Sequence, residues 1–338
     1  MRRLVFMTQR LDQDDPALGA TVPMVRALAA RVDEIVVLCD SALPEALPAN
    51  ARVHRFGSGT RAGRGLRFEA ALARELRPRP DAVIAHMIAL YAVLAAPLVR
   101  PLGIPLVLWY THWRSHALLR AAARVSTAIA SVDRTTFPLE SAKVHVIGHG
   151  IDVSEFSCSE AGATEGPLRA LALGRYSPAK GLDHVVRGLR LAVDRGCDAR
   201  LEVHGVAGSA LERDHERWLG DLVEELRLGE RVDLGGPVPR AELRAVFGRS
   251  DVLINNMRAG AADKVVYEAA ASCLPVLASN PVFEQLIDRG SLFDRESPES
   301  LADRLLGLDR RRRPELRARV LEHHSVEAWA EGILAAAA

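Results

Sequence analysis

Apolar runs of four to seven residues alternate with segments whose apolar positions recur every three or four residues, and this continues over nearly the whole chain. Runs at 3–8, 34–39, 52–56, 82–85 and 105–110 predict strands, and the periodic segments near 21–31, 65–77, 88–99 and 114–124 predict helices. The pattern breaks after Gly150, where DVSEFSCSEAGATEGP (152–167) is polar and weakly periodic. It then restarts, with strands expected near 168–173, 200–204, 231–234, 251–254, 275–278 and 291–293 and helices near 181–194, 210–228, 240–247, 263–272 and 298–308. Such alternation builds parallel sheets from βαβ units. A last amphipathic segment begins near Ser325, around Val326, Trp329 and Ile333.

At 338 residues the chain exceeds the size at which one hydrophobic core stops growing. The expected fold class is α/β, with two doubly wound Rossmann-like domains facing each other across a cleft. An acceptor-side domain is expected at 1–155, a linker at 156–167, a nucleotide-binding domain at 168–322, and a helix at 323–338 crossing back to the first domain. Ligands of such sheets bind at the carboxyl ends of the strands.

Composition removes several function classes. The four cysteines, Cys39, Cys158, Cys197 and Cys273, are too scattered to read as a disulfide framework or a zinc knuckle, which fits a reducing cytosol. The apolar run Leu4–Met7 is too brief for a signal-peptide core. The nearly apolar stretch Ala82–Val99 contains His86 and Pro97, and reads as a buried strand followed by a packed helix rather than a membrane span. Net charge is +1, divided into +7 over residues 1–150 and −6 over 151–338. Part of the basic excess lies in the helical pattern at 61–80, where Arg61, Arg64, Arg67, Arg74 and Arg77 form a solvated face that could also meet an anionic membrane surface. The run Arg310–Arg313 reads as a solvated helix-end cluster, and without interleaved aromatics it gives no sign of a nucleic-acid partner.

Only three of the 44 basic residues are lysines, and two of them, Lys180 and Lys264, each stand at a strand-to-helix junction. In LALGRYSPAKGLDHVV (171–186) an apolar strand is followed by Arg175, then Lys180-Gly181 at the start of a periodic helix. Helix N-termini attract phosphate, and both cations would strengthen that. In SDVLINNMRAGAADKVVYEAAASCLPVLASN (250–280) a small-residue loop leads to a helix carrying Lys264 and, one turn on, Glu268, whose carboxylate suits a ribose cis-diol. Two phosphate-type junctions in one half suggest a nucleotide ligand. The dinucleotide-like Gly57-Ser-Gly59-Thr-Arg-Ala62 lies outside the first βα unit and lacks the following acidic residue. His112 and His116 have metal-like spacing, but Trp113 stands where a zincin has Glu and no third ligand is evident, so no metal site is read. His112 itself follows the strand PLVLWYT and is expected at a carboxyl edge.

On these residues the chain resembles the family-4 retaining glycosyltransferases, in a bacterial branch, which have the GT-B fold and use nucleotide-diphosphate sugars. GRYSPAKG is similar to the family's donor-phosphate segment, implying that Arg175 and Lys180 hold the diphosphate. LGGPVPRAELRAVFGRSDVLIN resembles the loop that frames the base, implicating Gly236 and Val238, and DKVVYEAAASCLPVLASN resembles the signature helix, implicating Glu268 in ribose binding. His112 matches the histidine near the donor sugar, Gly19 the loop near acceptor and phosphate, and His86 lies in a further matching segment on the acceptor side. Two positions depart from the family pattern. Gly260 replaces the first glutamate of the signature, which leaves the sugar hydroxyls to backbone groups of Gly260, Ala261 and Ala262 beside Lys264, and Cys273 replaces a turn glycine.

The resemblance implies a metal-independent transferase with His112, Arg175 and Lys180 as catalytic residues and no cofactor, the nucleotide-diphosphate sugar being a co-substrate. The implied partners are that donor and a hydroxyl acceptor that is lipid-linked, a saccharide or a small molecule, met in the cytoplasm or at the inner face of the membrane. Two other functions fit the same features: a nucleotide-sugar epimerase, and a catalytically silent nucleotide-sugar-binding partner subunit.

Overall fold

The computed structural model describes residues 2–13, 18–43, 47–158 and 166–338 and resolves into two units, one of residues 1–152 with 323–338 and one of residues 153–322. In the first unit seven strands form one parallel sheet: β1 (Arg3–Leu11), β2 (Glu34–Ala42), β3 (Ala51–Arg55), β4 (Ala82–His86), β5 (Leu106–Trp109), β6 (Ala128–Ser131) and β7 (Val144–Val146). Their order is β3-β2-β1-β4-β5-β6-β7. Leu4 to Met7 of β1 and all of β4 are buried, as expected of parallel strands covered on both faces. The helices α1 (Thr21–Ala29), α2 (Arg61–Glu75), α3 (Ala89–Val99) and α4 (Ala117–Val125) accompany it. The apolar stretch at 82–99 is thus β4 followed by α3, and no helix among the described residues is long and apolar enough to cross a membrane.

The second unit contains β8 (Leu168–Leu173), β9 (Ala199–His204), β10 (Val232–Gly235), β11 (Val252–Asn255) and β12 (Val276–Ala278), parallel and ordered β10-β9-β8-β11-β12. Its helices are α5 (Leu182–Asp194), α6 (Ala210–Glu225), α7 (Leu243–Arg249), α8 (Lys264–Ala271), α9 (Pro298–Leu306) and α10 (Pro314–His323). The chain winds outward from β8 to β10 and returns to β11 beside β8. The segments leaving β8 and β11 therefore flank the topological switch point, where doubly wound sheets open a crevice.

The final helix, α11 (Val326–Ala337), belongs to the first unit. Trp329 is fully buried and meets Phe6 and Trp109 edge-on, with centroids 6.5 and 5.8 Å away. Glycines admit the helix: a Cβ on Gly150 would lie 3.1 Å from Trp329 Cγ, and one on Gly332 2.5 Å from Ile147 Cβ.

Several expectations change. The strand expected at 291–293 is a single bridge from Ala278 to Leu292 beside a short helical turn, while β6, β7 and α10 form where no element was expected. Cys158 and Cys273, 115 residues apart, are joined in a disulfide with Cα atoms 5.0 Å apart, which corrects the reading of the cysteines as too scattered for disulfides and removes the support that reading gave to a reducing cytosol. Of the expected linker, residues 159–165 lie outside those described. The Arg310–Arg313 run is more than a solvated cluster. Arg312 is part-buried and donates to the carbonyls of Phe247, Gly248 and Ser250 at the end of α7, where a cation complements the helix dipole.

Candidate functional site

Both segments at the switch point of the second unit carry the residues singled out in the sequence. At the end of β8, Gly174 turns the chain with φ +131°, and Lys180 folds back so that its ammonium donates to Leu173 O at 3.0 Å. Gly181, left-handed at φ +55°, opens α5, and no side chain caps this N-terminus. Its first amides and the helix dipole thus present a positive end. The segment after β11 laces onto this turn: Asn256 Nδ2 donates to Gly181 O at 2.9 Å and Arg258 N to Ala179 O at 3.2 Å.

Each of the two proposed phosphate cations is held by a carboxylate. Lys180, with 13% of its side chain exposed, pairs with Asp263, which also accepts from Asn255 Nδ2 at 2.7 Å. Arg175 lies 3.3 Å from Glu212 at the start of α6 and is 69% exposed, so it can swing toward a ligand at little cost. Two buried or half-buried carboxylates therefore position the cations, and the sequence reading named neither.

Glu268 is not the exposed helical glutamate that its local sequence would allow. With 7% of its side chain exposed, it is approached by Lys264 Nζ at 2.9 Å and by Arg240 Nη1 at 3.3 Å, both at Oε1. Arg240 also pairs with Glu155. Burial disfavours its charge, but Glu268 and Glu155 outweigh that and hold the guanidinium above its ordinary pKa. The loop before α8 is fixed by Asn280, buried, whose amide donates to Arg258 O at 2.9 Å and Ala261 O at 2.8 Å. Gly260 takes φ +79° in this loop, with Ala261 and Ala262 half-buried beside it. Gly236 and Val238 lie in the loop after β10, which buried Tyr176 anchors through a 2.8 Å bond from its hydroxyl to Gly235 O.

In the first unit Gly19 sits in the turn entering α1, buried. His86 ends β4 next to β1, and its Nδ1 lies 3.1 Å from Thr8 Oγ1. Only 4% of it is exposed, and burial pushes its pKa down to about 3, so the ring is neutral. His112, exposed after β5, accepts at Nδ1 from Arg114 N at 2.9 Å, which leaves the proton of the neutral ring on Nε2. Its ring stacks with Trp113 at 5.4 Å, and Arg114 covers the indole at 4.8 Å. His116 accepts from Leu119 N at 3.1 Å and caps α4. Its local spacing from His112 thus serves helix capping.

Residues 154–323, half of the chain, match the family model for glycosyl transferases group 1. Over 181 residues, 48% of this chain and 42% of the relative, the sequence is 28% identical to D-inositol 3-phosphate glycosyltransferase from Corynebacterium urealyticum. The match spans about two fifths of the length of the curated relatives. Sucrose-phosphate synthase from Thermosynechococcus elongatus is similar with a TM-score of 0.76 over 99% of this chain and 98% of its own, at 15% identity. A glycosyltransferase from Rickettsia africae is similar with a TM-score of 0.74 over 99% and 97%, at 13% identity. At such identities the likeness is one of fold, and it fits two Rossmann-like domains of the GT-B fold class. With the family model covering the unit that carries Lys180, Lys264 and Glu268, the chain belongs to the group 1 glycosyl transferases.

Proposed function

We propose that the protein transfers a hexose-type sugar from a nucleotide-diphosphate donor to a hydroxyl acceptor with retention of configuration and without a divalent metal. The observation that carries this reading is the meeting, at one switch point, of Lys180 and the uncapped start of α5 with the segment that leads to Lys264 and Glu268. As the glycosidic bond breaks, negative charge grows on the leaving diphosphate. Arg175, Lys180 and the α5 amides stabilise that charge more than the ground state. The sugar passes through an oxocarbenium-like state, and a phosphate oxygen of the leaving group takes the acceptor proton.

In this reading Glu268 accepts from the ribose, Gly236 and Val238 frame the base, and the backbone of Gly260–Ala262 with Lys264 meets the donor sugar and phosphate. His112 serves the sugar end, and Gly19 and His86 the acceptor side. His86 would act there as a neutral group. A hydroxyl acceptor agrees with the relative named for an inositol phosphate. The exposed Arg61, Arg67 and Arg74 of α2 supply a face for an anionic membrane, which suits a cytoplasmic enzyme working at the inner membrane surface.

Calorimetry with UDP-, GDP- and ADP-sugars, with and without EDTA, followed by NMR of the product's anomeric configuration, tests the proposal. Binding and transfer that survive EDTA, with the donor's anomeric configuration kept, are expected. An altered donor formed without acceptor would mark an epimerase, and donor binding with neither hydrolysis nor transfer would mark a silent binding subunit. Either result overturns the proposal.

A further inference from the structure

Arg240 has no role in the functional reading above, yet it is the most enclosed cation touching Glu268. Only 15% of its side chain is exposed, and its guanidinium spans two carboxylates supplied by distant parts of the second unit. One terminal nitrogen pairs with Glu155, in the helical turn Val153–Glu155 that opens the unit, and the other donates to Glu268 Oε1. Lys264 reaches the same Oε1. Both cations therefore load one oxygen, while Oε2 has no hydrogen-bond partner among the described residues. A glutamate carboxylate sits beyond three rotatable bonds, so a ligand that must meet it first has to stop it turning. Fixing Oε1 from two sides sets the carboxylate plane and leaves the lone pairs of Oε2 for a ligand.

Resting on the reading of Glu268 as the ribose residue, we propose that Arg240 is a positioning residue for ribose recognition. It holds Glu268 by Oε1, so that Oε2 accepts from the cis-diol, and it makes the site prefer ribonucleotides over their deoxy counterparts. Arg240 acts through Glu268 and does not itself touch the nucleotide. Glu155 anchors the far end of the guanidinium and keeps it from following the ligand.

The test is calorimetry on the full chain with UDP, GDP and ADP, each beside its 2′,3′-dideoxy counterpart, which gives a ribose preference as a ratio of dissociation constants. Glu268→Gln is expected to bring the ratio toward one. Arg240→Met is expected to lower the ratio by about tenfold, the scale of one charge-assisted hydrogen bond, with dideoxy affinity within about twofold of wild type. Arg240→Lys should recover part of the ratio and Glu155→Gln should lose part of it. A wild-type ratio in Arg240→Met, in a protein where Glu268→Gln has lost it, overturns the positioning role and leaves the ribose reading standing. Equal weakening of ribo and dideoxy ligands in Arg240→Met, the mark of a merely structural residue, also overturns it. A wild-type ratio in Glu268→Gln removes both readings. If Arg240→Met does not fold, Arg240→Lys and Glu155→Gln carry the same comparison, and unchanged ratios in both overturn the proposal.

Discussion

The ammonium of Lys180 packs onto Gly174: a Cβ built there would lie 2.4 Å from Nζ and 2.6 Å from Cε. Gly174 also takes φ +131°, which L side chains rarely adopt. The lysine can move aside, but only by leaving its place between Leu173 O and Asp263. Gly174→Ala is expected to weaken nucleotide-diphosphate binding by about tenfold or more, since a charged contact of a few kcal/mol is displaced. Calorimetry reads this directly, and unchanged affinity would mean that Lys180 works equally well from elsewhere.

Arg175→Ala and Lys180→Ala should each cut turnover by about two orders of magnitude or more. Their effects on folding should differ. Removing Lys180 leaves Asp263 half-buried without its cation, a loss on the order of a few kcal/mol, whereas exposed Arg175 contributes little to stability. Turnover and chemical denaturation measured on both variants separate the two, and wild-type turnover in both discards the phosphate assignment.

His112 is expected to serve the sugar end of the donor. Replacement by Ala should depress transfer far more than it weakens binding of the bare nucleotide diphosphate. Equal losses in the two measurements would place the residue elsewhere.

Acid should destabilise the first unit through His86. Burial pushes its folded pKa down from 6.5 to about 3, so between those values the unfolded chain binds a proton that the folded chain refuses. Its stabilising contribution is whole above about pH 6.5 and falls by about 1.4 kcal/mol per pH unit below it, until about pH 3. Urea unfolding of wild type and His86→Gln between about pH 4.5 and 7 should show a slope shallower by about one proton in the variant. Parallel slopes would show that the ring is protonated in the folded protein.

The long apolar strands and periodic helices were legible because each follows from a local period. The strands β6 and β7 were not: β6 is Ala-Ile-Ala-Ser and β7 places His145 between two valines, so neither offers the run of large apolar residues that marked equally short strands such as β5 and β11. At the site, Lys180, Lys264 and Glu268 stood out by local chemistry and junction position. Their partners did not: Asp263 meets Lys180 across 83 residues, and Arg240 lies 28 from Glu268 with Glu155 on its other side. Pairings over such distances exist only once β8 and β11 lie side by side. The third lysine, Lys143, was not singled out in the sequence; its ammonium donates to the carbonyls of Ala123, Arg124 and Ser126 at the end of α4. Three donors on one compact head suit that cap better than a planar guanidinium does.

The chain crosses between its units twice, at 152–153 and again at 322–323, and in the first unit those passages run side by side, with Gly150 and Ile151 both donating to His324 O. In the order of synthesis the second unit is therefore an insertion in the first. A ribosome releases all of 153–322 before it delivers α11, so the unit translated first is the one completed last. Until α11 emerges, Phe6 and Trp109 lack the indole of Trp329, so a chain held at that stage keeps part of the first unit's apolar core open to chaperones.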